Sequence, residues 1–104
     1  MPRLLRAREI RQKLRALEGW TVHGRFITKT FGFGEFMEGI AFVNDVARVA
    51  EKQEHHPDIN VRYTTVRLSI QTHSEGGVTS WDIALAKAID RIARSVKTVL
   101  PESR

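Results

Sequence analysis

The chain of 104 residues contains no cysteine. Disulfides, zinc–thiolate centres and cysteine nucleophiles are thereby excluded. A reducing compartment fits that absence. Long apolar runs are missing too, and none approaches the roughly 18 residues that a membrane span needs. The N-terminus is charged and lacks the apolar stretch of a secretory signal. A cytoplasmic protein with no membrane partner is the expectation. No repeat, low-complexity tract or interdomain linker is visible. The length suits one domain with one core.

What the chain does have is a lopsided charge distribution. The formal net charge is +5, from 17 basic and 12 acidic side chains. Arg3, Arg6, Arg8, Arg11, Lys13 and Arg15 face only Glu9 among the first fifteen residues. The other eleven basic and eleven acidic side chains cancel. The basic character therefore belongs to one segment. Such a segment reads as a solvated helix face, with contact to nucleic acid as the less favoured reading.

Periodicity sets out the elements. Leu4 to Leu17 reads as an amphipathic helix, with Ile10, Leu14 and Leu17 on one side and arginines on the other. Gly19 stands where a helix stop is expected. Trp20 to His23 and Phe26 to Phe33 are β-type runs around Gly24-Arg25, which predicts an antiparallel hairpin holding His23. Glu35 to about His55 is a long helix. Phe36, Ile40, Val43, Ala47 and Ala50 line one stripe, and Phe42, Val46 and Val49 an adjoining one. That arc is wider than a surface helix needs. Pro57 stops it.

Ile59 to Tyr63 and Val66 to His73 are the next strands, the second alternating with the period of a half-buried sheet. Glu75-Gly76-Gly77 makes a turn. Thr79 opens the last helix, with Asp82 three residues on as in a capping box. Trp81, Leu85, Ala88, Ile92 and Val96 form its apolar stripe, and Leu100 and Pro101 mark its end. The order α-β-β-α-β-β-α predicts an α+β domain: a four-stranded antiparallel sheet with three helices packed on one face.

The residues able to do chemistry gather at element ends. His55 and His56 close the central helix, His73 closes the fourth strand, and Asp82 opens the last helix. Histidine titrates around neutrality and can both give and take protons. Each residue also has a structural reading. The paired histidines suit a helix C-terminus, Glu51 suits an i,i+4 pair with His55, and Asp82 suits the cap. A zinc site would need His55 and His56 to aim at one ion, yet neighbours on a helix diverge by about 100°. No catalytic metal is expected.

The spacing is more specific. Glu51 precedes His55-His56-Pro57 by three residues; Tyr63, His73 and Asp82 follow at intervals of five, nine and eight. This resembles the signature of the pterin-4a-carbinolamine dehydratase family. The stretches 51–58, 72–79 and 82–86, and Gly19-Trp20, resemble it as well. The resemblance spans roughly residues 17–95. Ile59 and Asn60 depart from it, since an aromatic often follows the His-His-Pro-acid run. The arginine-rich start has no counterpart.

The resemblance implies one domain over residues 1–104, with the arginine-rich helix at about 3–17. It implies a lyase that dehydrates 4a-hydroxytetrahydropterin to quinonoid dihydropterin in tetrahydrobiopterin recycling. An aromatic amino-acid hydroxylase would share the pathway. No cofactor, metal or covalent intermediate is needed. His55 and His73 are carried over as the acid/base pair; His56, Pro57 and Asp82 as substrate-binding residues; Glu51 as support, orienting His55. A homodimer or homotetramer is implied too, and the wide apolar arc of the central helix agrees. A non-catalytic dimerisation or regulatory module on the same scaffold ranks second, and nucleic-acid binding through the first helix ranks last.

Overall fold

The computed structural model describes residues 2–95. Along the chain run α1 (Ala7–Leu14), β1 (Thr21–His23), β2 (Phe26–Gly32), α2 (Phe36–Gln53), β3 (Asp58–Arg62), β4 (Thr65–Ile70), a 3₁₀ turn (His73–Glu75) and α3 (Ser80–Ser95). The strands form one antiparallel sheet in the order β1-β2-β4-β3. This is the α+β arrangement that the element order predicts.

Alternation builds the core. Val66, Leu68 and Ile70 of β4 are fully buried, while Thr65 and Arg67 are exposed. Ile27 and Phe31 of β2 share the buried face. Lys29 lies between them, against Leu68. Its ammonium is paired there, reaching Asp90 of α3 at 3.1 Å and the Glu18 carbonyl at 2.9 Å. Trp20 donates its indole N–H to the same Asp90 oxygen at 3.0 Å. Asp90 is nearly buried, so its charge is held by a cation and a donor rather than by water. Gly19, at φ +92°, permits this approach, since a Cβ there would stand 2.8 Å from Lys29 Cε.

The helices differ from expectation in detail. α1 is shorter than the 3–17 span, because Arg6 is extended and Leu5 N–H bonds the Val78 carbonyl at 2.9 Å. Glu9 fastens that segment. Its carboxylate accepts from both terminal nitrogens of Arg3 and from Arg6 N–H. The Arg3 guanidinium and this amide lower the Glu9 pKa to about 2. All six basic side chains of the segment are exposed.

In α2, Gly39, Phe42, Val46 and Ala50 face the core, which is the Phe42–Val46 stripe. Phe36, Met37 and Ala47 stay exposed. In α3 the core takes Ile83, Leu85, Ala86, Ala88 and Ile89, but Trp81 is 46% exposed and does not join the stripe. In the first turn of α3 Asp82 is instead the inward group. Val96, Leu100 and Pro101 lie outside the described residues.

Candidate active site

The site forms where the end of α2 approaches the start of α3. α2 ends earlier than His55. Glu54 turns left-handed at φ 53° and ψ 41°, Glu54 N–H bonds the Glu51 carbonyl at 3.2 Å, and His55 N–H bonds that of Ala50 at 3.0 Å. Those two bonds are a Schellman closure. The left-handed turn costs a residue with a Cβ about 1–2 kcal/mol. His55 and His56 thus lie just past the helix, with Pro57 partly buried behind them.

His55 Nε2 stands 2.6 Å from Asp82 Oδ1. Asp82 is fully buried. Its other oxygen accepts the Thr72 hydroxyl at 2.8 Å and Thr79 N–H at 2.8 Å, the latter being the reciprocal half of a capping box. The donors can be ordered. Thr72 spends its one hydrogen on Asp82, so at 2.7 Å Thr79 Oγ1 donates to Thr72 Oγ1. Thr79 Oγ1 in turn accepts Trp81 N–H at 3.2 Å. An ionised carboxylate offers only acceptors. His55 Nε2 is therefore assigned the hydrogen, which leaves Nδ1 as the ring nitrogen that no described residue bonds.

The other sequence-predicted residues are placed differently. Glu51 Oε2 meets His56 Nε2 at 2.6 Å, so Glu51 partners His56 and does not orient His55. Both side chains of this pair are well exposed. His73 is not a strand residue: β4 ends at Ile70, Thr72 bridges Gly77, and His73 begins the 3₁₀ turn with its ring exposed. Among the described residues its side chain makes no hydrogen bond, and none of them group three or more His, Asp or Glu side chains as metal ligands would be grouped. Trp81 packs edge-on to His55, ring centroids 6.0 Å apart at 73°.

A family model described as "Pterin 4 alpha carbinolamine dehydratase" matches residues 3–92. This chain belongs to that family. A relative from Sulfurisphaera tokodaii, provisionally named a pterin-4-alpha-carbinolamine dehydratase, is 41% identical over 85% of this chain and 95% of its own. One from Chloroflexus aurantiacus with the same provisional name is 48% identical over 88% of this chain and 98% of its own. A solved transcriptional coactivator/pterin dehydratase from Brucella melitensis superposes with a TM-score of 0.81 at 41% identity, over 86% of this chain and 97% of that one. A pterin dehydratase-like RuBisCO assembly factor of the alpha-carboxysome, at 24% identity and a TM-score of 0.58, shares the fold.

In this member of the pterin carbinolamine dehydratase family, three neighbours of the histidines escape a reading of the sequence. Thr72 looks like one more inward strand residue, Thr79 like a helix cap and Trp81 like a core position. The capping-box spacing from Thr79 to Asp82 was the only signal of the buried network. A histidine held by a buried carboxylate, with one ring nitrogen free, can accept and return a proton.

Proposed function

We propose that this chain is a hydro-lyase that dehydrates 4a-hydroxytetrahydropterin to quinonoid dihydropterin, in pterin recycling in the cytoplasm. The observation that supports this best is the His55–Asp82 pair, with every Asp82 partner a donor. The reaction asks little of a protein. A hydroxide leaves the tetrahedral ring carbon and takes up a proton, and a ring N–H gives one up. Atoms balance with water as the second product, and no electrons are exchanged with a cofactor.

His55 exchanges its proton at Nδ1, while Nε2–H stays on Asp82. The adjacent carboxylate offsets the charge that the ring takes on when protonated. His73 is the second proton-transfer group, and its exposed turn leaves the ring open to substrate. Each such transfer contributes about 10² to 10⁴ in rate. His56, steadied by Glu51, binds the substrate edge, and Pro57 sets the direction in which both histidines leave the helix. The working form is a homo-oligomer. Phe36 and Met37 of α2 and Ile59 and Val61 of edge strand β3 are large apolar side chains left more than a third exposed.

The deciding test is direct. Freshly generated 4a-hydroxytetrahydropterin should lose water faster with the protein than with buffer alone. A rate equal to the buffer rate defeats the proposal and leaves a regulatory module on the same scaffold.

A further inference from the structure

Trp81 sits where a core residue is expected and yet is 46% exposed. Asp82 and Thr79 explain why it cannot turn inward. Asp82 occupies the buried position, and Trp81 N–H is spent on Thr79 Oγ1, which fixes the backbone of the first helical turn. The indole is left beside the His55 ring at 6.0 Å and 73°. The chain has two tryptophans. The other, Trp20, is buried and anchored on Asp90, as a packed tryptophan should be. An indole half in solvent and set edge-on to the His55 ring leaves much of its surface open to a ligand.

We propose that Trp81 is the stacking wall of the site. It takes one face of a flat, fused-ring nitrogen heterocycle and so selects for that class of ligand. The angle between the rings suits this role. A ligand lying parallel to the indole meets the imidazole steeply, so His55 can reach a group projecting out of the ligand plane. A hydroxyl on a tetrahedral ring carbon is such a group. Among the described residues, Trp81 is the aromatic that meets the His55 ring. The inference rests on the pterin reading of the site, because the ligand is taken to be planar and fused.

Calorimetric titration with 7,8-dihydropterin tests it on the full-length protein, beside dehydration kinetics. Stacking of a base on an aromatic side chain is lost on alanine substitution at a cost equivalent to about tenfold or more in affinity. Trp81→Ala and Trp81→Leu should both weaken binding about tenfold and raise KM in step, with kcat within about twofold, as for loss of uniform binding. Trp81→Phe should restore most of the affinity. Full affinity in Trp81→Leu overturns the stacking role, since bulk alone would then suffice. Unchanged affinity in Trp81→Ala with a lower mass by light scattering also overturns it and assigns the indole to a contact between copies. Weakened binding by the variants of a wild-type protein that binds but does not dehydrate sinks the hydro-lyase reading and leaves the wall standing. A wild-type protein that binds no pterin defeats both.

Discussion

His55 Nε2 and Asp82 Oδ1 meet at 2.6 Å across 27 positions of sequence. The helix closure at Glu54 and the capping turn at Thr79 are the two local devices that bring them together. Behind Asp82 the Thr72 and Thr79 hydroxyls are buried, and both spend their hydrogens within the network. The pair is thus held from both sides, and perturbing either side has separable consequences.

Replacing His55 or His73 by alanine should lower turnover by about 10² or more, the usual yield of one proton-transfer group. The double replacement should cost less than the product of the two, because groups acting as a unit are not additive. His73→Ala should leave the melting temperature unchanged, since the ring is exposed and unbonded. Wild-type turnover in both folded single variants removes the catalytic assignment.

Asp82→Asn should lower both turnover and stability. A carboxamide has one accepting oxygen, so its NH₂ must face either His55 Nε2, which forces the ring into its other tautomer, or one of the Thr72 and Thr79 donors in the interior. Leaving a buried polar group unsatisfied costs about 1–3 kcal/mol. Thr72→Val removes one of these donors and should destabilise by a similar amount, with Thr72→Ser recovering most of it. Thermal unfolding of the three variants reads the order. Equal melting temperatures for Thr72→Val and wild type contradict the network.

The Glu51–His56 pair should behave oppositely. Both side chains are exposed, and such pairs are worth about 0–1 kcal/mol. Glu51→Gln should scarcely move the melting temperature. It should raise KM more than it lowers kcat if the pair steadies His56 for binding. A fall confined to kcat points to a part in proton transfer.

Acid should loosen the N-terminal segment first. The Glu9 pKa is lowered from 4.5 to about 2 in the folded chain. The stabilisation it provides is full above pH 4.5, and it fades as pH falls through the folded value near 2. The protection of the Leu5 and Arg6 amides, exchange measured against the intrinsic rate at each pH, should therefore fall between those limits ahead of that of the β4 amides. Glu9→Gln should show the fast exchange already at neutral pH. Equal rates in variant and wild type at neutral pH would separate the clasp from the pKa shift.

Exposed apolar residues on α2 and β3 lead to the last expectation. At micromolar concentration light scattering should give at least twice the 11.9 kDa chain mass. Val61→Lys on the outer strand or Met37→Lys on the helix should shift the mass downward. A wild-type monomer excludes the oligomer.

Much of this protein follows from local pattern. The period-2 run Val66-Leu68-Ile70, the hairpin at Gly24-Arg25 and the Phe42-Val46 part of the second α2 stripe are read from neighbours a few residues apart. Strand and helix repeats depend on backbone geometry alone, so the element order and α+β class were legible. The His-His-Pro run and its spacing to Asp82 pointed to the family by resemblance to its signature. Pairing across the fold was not legible. Three- and four-residue spacing favours Glu51 with His55, yet a left-handed Glu54 rotates the chain and hands Glu51 to His56. The 3.6-residue period puts Trp81 in the core, yet Asp82 claims the inward direction because its carboxylate finds three donors there. Which of two adjacent side chains is buried depends on partners far away in sequence, and only the packed structure brings those partners within hydrogen-bonding distance.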